Sequence, residues 1–147
     1  MEPLVLSAVS YASKTAIHGV YALGEYLLTG AHPHIAEKLE NLDIVNKVAI
    51  VEAYLDQLHS EDGEDEQCKP RARASKPVQV AVKSVSDLIE RLHAALATIK
   101  TECEYHTTRY FHYWRTPNCL SQLQAVERLS VLLDQRLALM MQIMAHT

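Results

Sequence analysis

The most constraining feature of the sequence is a run of residues spaced alternately four and three apart. It begins at Val78 and continues without a break to Tyr113. A sustained period of 3.5 residues predicts one long α-helix that packs a single face against other helices at a shallow angle. As one helix ending at Trp114 it would be about 55 Å long, more than a compact domain of this size usually needs. The seam comprises Val78, Val82, Val85, Ile89, Leu92, Leu96, Ile99, Cys103, His106, Tyr110 and Tyr113.

Other segments carry helical patterns of their own. Residues 4–29 contain only two formal charges and are apolar nearly all round, which predicts a helix buried on most sides. Residues 33–39 indicate a short helical turn, and Asp43 is positioned to cap an amphipathic helix over residues 44–59. Pro117 opens a last helix that runs to about residue 145.

Length and composition limit how these helices are assembled. The chain has 147 residues, enough for one compact core, and its 4 Gly and 5 Pro provide few of the tight turns that a sheet protein needs. The expected fold is therefore all-α, an antiparallel four-helix bundle with a long third helix. We expect one domain over residues 1–147. Residues 60–77, an acidic block followed by a basic block, are predicted to form a flexible charged linker inside it.

Charge and cysteine content argue against several classes of protein. The net charge of −4 offers no general basic field for a phosphate backbone, so nucleic acid is not an expected partner. Cys68, Cys103 and Cys119 are scattered and include no C-x-x-C pair, which favours a reducing compartment over a disulfide framework. The first residues lack the basic region and cleavage site of a secretory signal, so the expected location is intracellular.

An aromatic and basic cluster at the end of the third predicted helix is the first candidate site. Such side chains form cation–π contacts and are enriched in protein interfaces and at membrane surfaces. The same side chains also suit a hydrophobic plug that closes one end of the bundle, and the sequence leaves both interpretations open. The candidate interaction residues are Tyr105, Arg109, Tyr110, Phe111, His112, Tyr113, Trp114 and Arg115.

The nearly uncharged first helix raises a second hypothesis, in which it leaves the core and enters a bilayer interface. Lys14 and several polar residues make a full membrane span costly, whereas Gly19 and Gly24 would loosen the helix. The residues expected to face lipid in this alternative are Leu4, Leu6, Tyr11, Ile17 and Tyr21.

Patterns that could support catalysis or metal binding are incomplete. Glu90 and His93 have the Glu-x-x-His spacing of di-iron bundles, but such a site needs a second motif and further glutamates that the sequence lacks. Glu102 and His106 are more typical of a hydrogen-bonded pair, and nothing in the sequence orients His106 toward Cys103 for thiol catalysis. We therefore predict no catalytic residue, no metal ligand and no cofactor.

Two parts of the sequence resemble known groups of proteins. LENLDIVNKVAIVEAYLDQL at 39–58 and HTTRYFHYWRTPNCLSQLQAVERLSVLLDQRLALM at 106–140 look like small helical proteins encoded by large eukaryotic DNA viruses. This resemblance implies a viral origin, a host-cytoplasmic location and a helical bundle. The opening 30 residues are similar to the start of HeLo-type bundles, which act by oligomerising and disturbing membranes, although the basic membrane-facing patch of those bundles has no obvious counterpart.

These features together predict a non-enzymatic structural or protein-interaction module that associates with itself. Long helices with more apolar surface than one bundle covers are often completed by a second copy. The alternative is a membrane-active helical bundle that uses its first helix and associates peripherally with a membrane.

Overall fold

The computed structural model describes residues 3–29, 33–64, 76–107 and 119–145, with side chains described within residues 14–29, 33–57, 76–105 and 119–145. This part of the chain is helical and contains no strand, which confirms the all-α prediction there. Its helices are α1 (Pro3–Thr29), α2 (Pro33–Leu42), α3 (Ile44–Glu64), α4 (Lys76–Thr107) and α5 (Leu120–Ala145).

The heptad seam forms the central buried face of α4. Every seam side chain from Val78 to Cys103 is at most 3% exposed, so this part of the prediction is confirmed. Those side chains belong to one core cluster with the apolar faces of the other helices. The seam side chains beyond Cys103 lie outside the described residues, as does the expected continuation of the helix from 108 to Trp114.

The helix directions differ from those of a regular antiparallel bundle. The most extensive interfaces of α4 are with α5 and with α1. Arg136 of α5 donates a hydrogen bond to Ser84 of α4. Cys119, which directly precedes the first residue of α5, interacts with Cys103 near the end of α4, so α4 and α5 are antiparallel.

By contrast, α1 runs parallel to α4. Gly19 of α1 lies against His93 of α4. Seven residues further along both helices, the ring of Tyr26 lies beneath the ammonium of Lys100. An up-down bundle with only antiparallel neighbours is therefore not confirmed, because α4 lies between one parallel and one antiparallel partner.

The segment expected to form one helical turn is a ten-residue helix, α2. Ile35 and Leu39 bury its apolar side in the core, which supports a longer helix than the local sequence predicts. At Asp43 the chain takes a positive φ of 55°, a left-handed conformation that Asp tolerates better than most residues. The backbone carbonyl of Asp43 accepts the N–H of Lys47 at 3.2 Å, so Asp43 precedes α3 as predicted.

The ends of the predicted linker are helical. Helix α3 extends to Glu64 and α4 begins at Lys76, so residues 60–64 and 76–77 belong to helices. Residues 65–75, which contain most of the basic block, lie outside the described residues. Their flexibility stays a prediction.

Gly19 has a packing role in the interface between α1 and α4. A Cβ atom at this position would overlap with Nε2 of His93, closer than real Cβ contacts allow. Because glycine has no Cβ, α1 can approach the His93 ring directly. This close approach explains the glycine without the loosening of α1 that the sequence suggested.

Candidate interaction surface

Helix α5 presents apolar side chains on two sides. One side packs into the core through residues such as Leu123, Val126 and Leu133. The other side is exposed to solvent, and Leu120, for example, is 65% exposed. The exposed large apolar side chains of α5 are Leu120, Val131, Leu139 and Met141.

An open apolar groove lies between the start of α4 and the end of α5. It has a volume of about 540 Å³, and Val80 and Leu139 are more than half exposed beside it. At its rim, the guanidinium of Arg136 donates a hydrogen bond to Ser84 Oγ. The groove is lined by Lys76, Pro77, Val80, Ala81, Ser84, Arg136, Leu139 and Ile143.

The groove and α1 lie on opposite sides of α4. Ser84, at the groove, and His93, against α1, are nine residues apart. At about 100° per residue, nine residues correspond to a rotation of about 180° around the helix. The apolar groove therefore lies on the side of the α4–α5 pair away from α1.

A polar contact joins α3 to α5 on another side of α5. The ammonium of Lys47 donates to Ser130 Oγ at 2.7 Å and pairs with Asp134 Oδ2 at 2.9 Å. Ser130 is only 1% exposed, so this bond satisfies a polar group that burial would otherwise penalise. The contact fixes α3 to α5.

Of the predicted aromatic and basic cluster, only Tyr105 has a described side chain. It is 54% exposed near the end of α4, at the opposite end of this helix from the groove. Arg109, Tyr110, Phe111, His112, Tyr113, Trp114 and Arg115 lie outside the described residues. The structure therefore leaves the plug and the interface as alternative predictions for this cluster.

Where their side chains are described, the residues expected to face lipid are buried or half-buried. Ile17 is fully buried, and Tyr21 is half-buried and donates a hydrogen bond to Glu52 at 2.8 Å. Leu4, Leu6 and Tyr11 lie within α1, but their side chains are outside the described set. Within the described residues, no helix combines the length and the apolarity that crossing a bilayer requires.

The solvent side of the α1–α3 interface carries charged and polar contacts. Lys14 pairs with Asp56 at 2.5 Å, and His18 Nε2 lies 3.8 Å from the Glu52 carboxylate that also accepts the Tyr21 bond. Burial first, and then the hydrogen bond to Glu52, raise the pKa of Tyr21 to about 12. These contacts connect α1 to α3 across their exposed edge.

The described residues contain no assembled metal site, and the side chain of His106, the residue considered as a partner of Cys103, lies outside the described set. Glu90 is exposed, whereas His93 lies against Gly19, and the described residues contain no cluster of three His, Cys, Asp or Glu that could hold a metal. Cys103 is buried beside Cys119. The sequence analysis missed this pairing. The signal that could have found it is a cysteine on the seam near the end of one helix and a second cysteine just before the start of the next helix.

Comparison with known proteins gives one partial similarity. An uncharacterized protein of Acanthamoeba polyphaga mimivirus is 28% identical over 69 residues, which correspond to 47% of this chain and 34% of that protein. No family model and no solved structure match the chain. The similarity is consistent with the expected resemblance to helical proteins of large DNA viruses, and none of these comparisons supports a HeLo-type bundle.

Proposed function

We propose that this chain is a non-enzymatic interaction module of a large eukaryotic DNA virus, and that it associates with a second copy of itself through the groove between α4 and α5. The exposed apolar surface at this groove carries the proposal. Val80 and Leu139 project beside an apolar depression, and soluble proteins rarely leave such a surface uncovered without a binding role. The partial similarity to a mimivirus protein supports the viral origin.

A second copy suits this surface because each molecule offers both apolar projections and the groove that receives them. In a two-fold dimer the same patch is used on both molecules. Two antiparallel α4–α5 pairs would then form four packed helices, with Leu139 of each copy entering the groove of the other.

The charges beside the groove are compatible with the same two-fold arrangement. Lys83 and Asp87 are exposed one helical turn apart, on the side of α4 that carries Val80. A two-fold axis between them would place each Lys83 beside Asp87 of the other copy. Opposite charges paired in this way set the register of an interface and disfavour other alignments.

The test is the molar mass in solution, measured by light scattering and sedimentation equilibrium. We expect a dimer for the unchanged chain, and at least a tenfold weaker dimer for the double variant Val80→Ser and Leu139→Ser. Ile50→Ser is the matched control, because Ile50 is an exposed apolar residue on α3, away from the groove. It should leave the mass unchanged, and circular dichroism should show equal helicity for all variants.

A charge exchange tests the orientation of the two copies. Asp87→Lys alone should weaken the dimer by like-charge repulsion, and the added change Lys83→Asp should restore it. A monomeric unchanged chain, or a dimer unaffected by Val80→Ser and Leu139→Ser, would contradict the proposed interface. If Tyr113→Ala with Trp114→Ala lowers the mass instead, self-association uses the aromatic end of the molecule and the groove is not its interface.

A further inference from the structure

Two buried cysteines face each other across the α4–α5 interface. Cys103 ends the described part of the α4 seam, and Cys119 directly precedes α5, where its carbonyl accepts the N–H of Leu123 at 2.8 Å. They are 3% and 1% exposed. The antiparallel contact between Ser84 and Arg136 places the later part of α4, which contains Cys103, beside the start of α5, which Cys119 precedes.

The thiols of Cys103 and Cys119 interact with each other. A side-chain hydrogen bond joins Cys119 to Cys103, and both cysteines are free thiols in this structure. Burial first, and then the proximity of Cys103 and Glu102, raise the pKa of Cys119 to about 12. Because the thiolate is the reactive form, the raised pKa and the burial slow the reaction of this pair with an oxidant.

We propose that Cys103 and Cys119 are an oxidation site at which a small-molecule disulfide, such as glutathione disulfide, forms an intramolecular disulfide. One protein thiolate attacks the oxidant, and its S–S bond breaks to release one thiol. The second protein thiol then displaces the other half of the oxidant as a thiol. Two protein S–H bonds are exchanged for one S–S bond, and the two electrons and two protons leave on the two released thiols.

The disulfide would connect the end of α4 to the start of α5. It would close a loop over residues 104–118, the segment that contains the aromatic and basic cluster. Oxidation would therefore restrict this segment covalently without changing the groove at the other end of the helix pair. The inference does not depend on the proposed dimer.

The experiment compares the full chain and its Cys68→Ser variant before and after incubation with glutathione disulfide. Cys68 is the third cysteine and the competitor for pairing. After alkylation and trypsin digestion, mass spectrometry should find residues 101–109 linked to residues 116–128 in both proteins. The oxidised protein should stay at the molar mass of the reduced one and melt about 5–10 °C higher, as expected for a disulfide that closes a loop of this size.

Matched controls carry Cys103→Ser or Cys119→Ser in the Cys68→Ser background. Neither should form the linked peptide or show the increase in melting temperature. The linked peptide in the full chain would also show that the Cα atoms of Cys103 and Cys119 come within about 7 Å of each other, because a disulfide requires this distance. The proposal is overturned if the full chain stays reduced, if it forms only intermolecular disulfides, or if Cys68 takes one of the two partners.

Discussion

Two antiparallel helix contacts among the described residues, α4 with α5 and α1 with α3, are built from different interactions. The face of α4 that packs in the core is a continuous apolar seam. The contact of α1 with α3 also has an apolar inner side, but its outer edge carries Lys14 with Asp56 and Tyr21 with Glu52. Apolar burial involves no screened charge and no titrating group, whereas exposed ionic contacts are weak and depend on both salt and pH. Substitutions in the first contact should therefore lower the free energy of unfolding strongly. Substitutions at the outer edge of the second contact should have small effects that depend on salt and pH.

The largest effect is expected from Leu92→Ala, at the centre of the α4 seam. Leu92 is 1% exposed, and truncating a buried leucine costs about 2–5 kcal/mol of unfolding free energy through lost burial and the cavity left behind. Urea denaturation followed by circular dichroism measures this cost. The matched control, Leu120→Ala, changes an exposed leucine on α5 and should cost less than about 0.5 kcal/mol. Similar costs at the two positions would contradict the assigned burial of the seam.

The contact of α1 with α4 predicts that the effect of Gly19→Ala on the free energy of unfolding changes sign when the His93 ring is removed. Gly19→Ala should destabilise the protein by about 1–3 kcal/mol, because the added Cβ meets the His93 ring and forces it to move. In the His93→Ala background the same substitution should stabilise the protein by about 0.5–1 kcal/mol, the usual gain of Ala over Gly within a helix.

The measurement is a double-mutant cycle in urea with four proteins, the unchanged chain, each single variant and the double variant. A stabilising Gly19→Ala in the unchanged chain would show that α1 does not approach His93 this closely. An equal destabilisation in both backgrounds would identify a cause other than the His93 ring.

These contacts show how much of the fold the sequence could predict. The seam from Val78 to Cys103 was predictable because its period depends only on which residues are apolar and how far apart they lie. The parallel packing of α1 on α4 was not, since a helix that is apolar nearly all round does not indicate which neighbour it contacts. The full length of α2 was missed for a related reason, because burial of Ile35 and Leu39 by other helices extends it beyond its local signal.

The candidate site was less predictable than the fold. The two apolar sides of α5 could be recognised from its sequence, but the groove depends on how α4 and α5 are aligned, which no single helix encodes. Tyr105 is exposed, which leaves the plug and the interface as alternatives, whereas Ile17 is fully buried. The same apolar pattern is compatible with a core-facing and a lipid-facing helix, so the sequence alone could not distinguish the two for Ile17.

A smaller effect is expected from Tyr21→Phe at the edge of α1 and α3. Loss of the hydrogen bond to Glu52 should cost about 0.5–1.5 kcal/mol at neutral pH. The folded pKa of Tyr21 is raised from 10 to about 12, so folding favours the neutral phenol. The contribution of the neutral Tyr21 phenol to the free energy of unfolding is fully present below pH 10 and is lost as the pH rises from about 10 to about 12.

Urea denaturation of the unchanged chain and of Tyr21→Phe at several pH values between 8 and 12 checks this prediction. The stability difference between the two proteins should shrink above pH 10. Tyr54→Phe is a control on the neighbouring helix that leaves the Glu52 bond in place. A difference that stays constant over the whole range would mean that the phenol of Tyr21 is not held neutral by the fold.

The smallest effect is expected for the ion pair of Lys14 with Asp56, both of which are well exposed. The hydrogen bond to Asp56 raises the pKa of Lys14 above 10.5, so its contribution is present below that pH and is lost as the pH rises through the folded value. A double-mutant cycle with Lys14→Gln and Asp56→Asn should show coupling at low salt that disappears at about 1 M salt, where the screening length is about 3 Å. The cycle with Lys47→Gln and Asp134→Asn provides the contrast, because Lys47 is only 20% exposed and also donates to the buried Ser130. The coupling energy of this second pair should persist at high salt. Equal salt sensitivity of the two coupling energies would show that the burial of Lys47 does not protect its ion pair from screening.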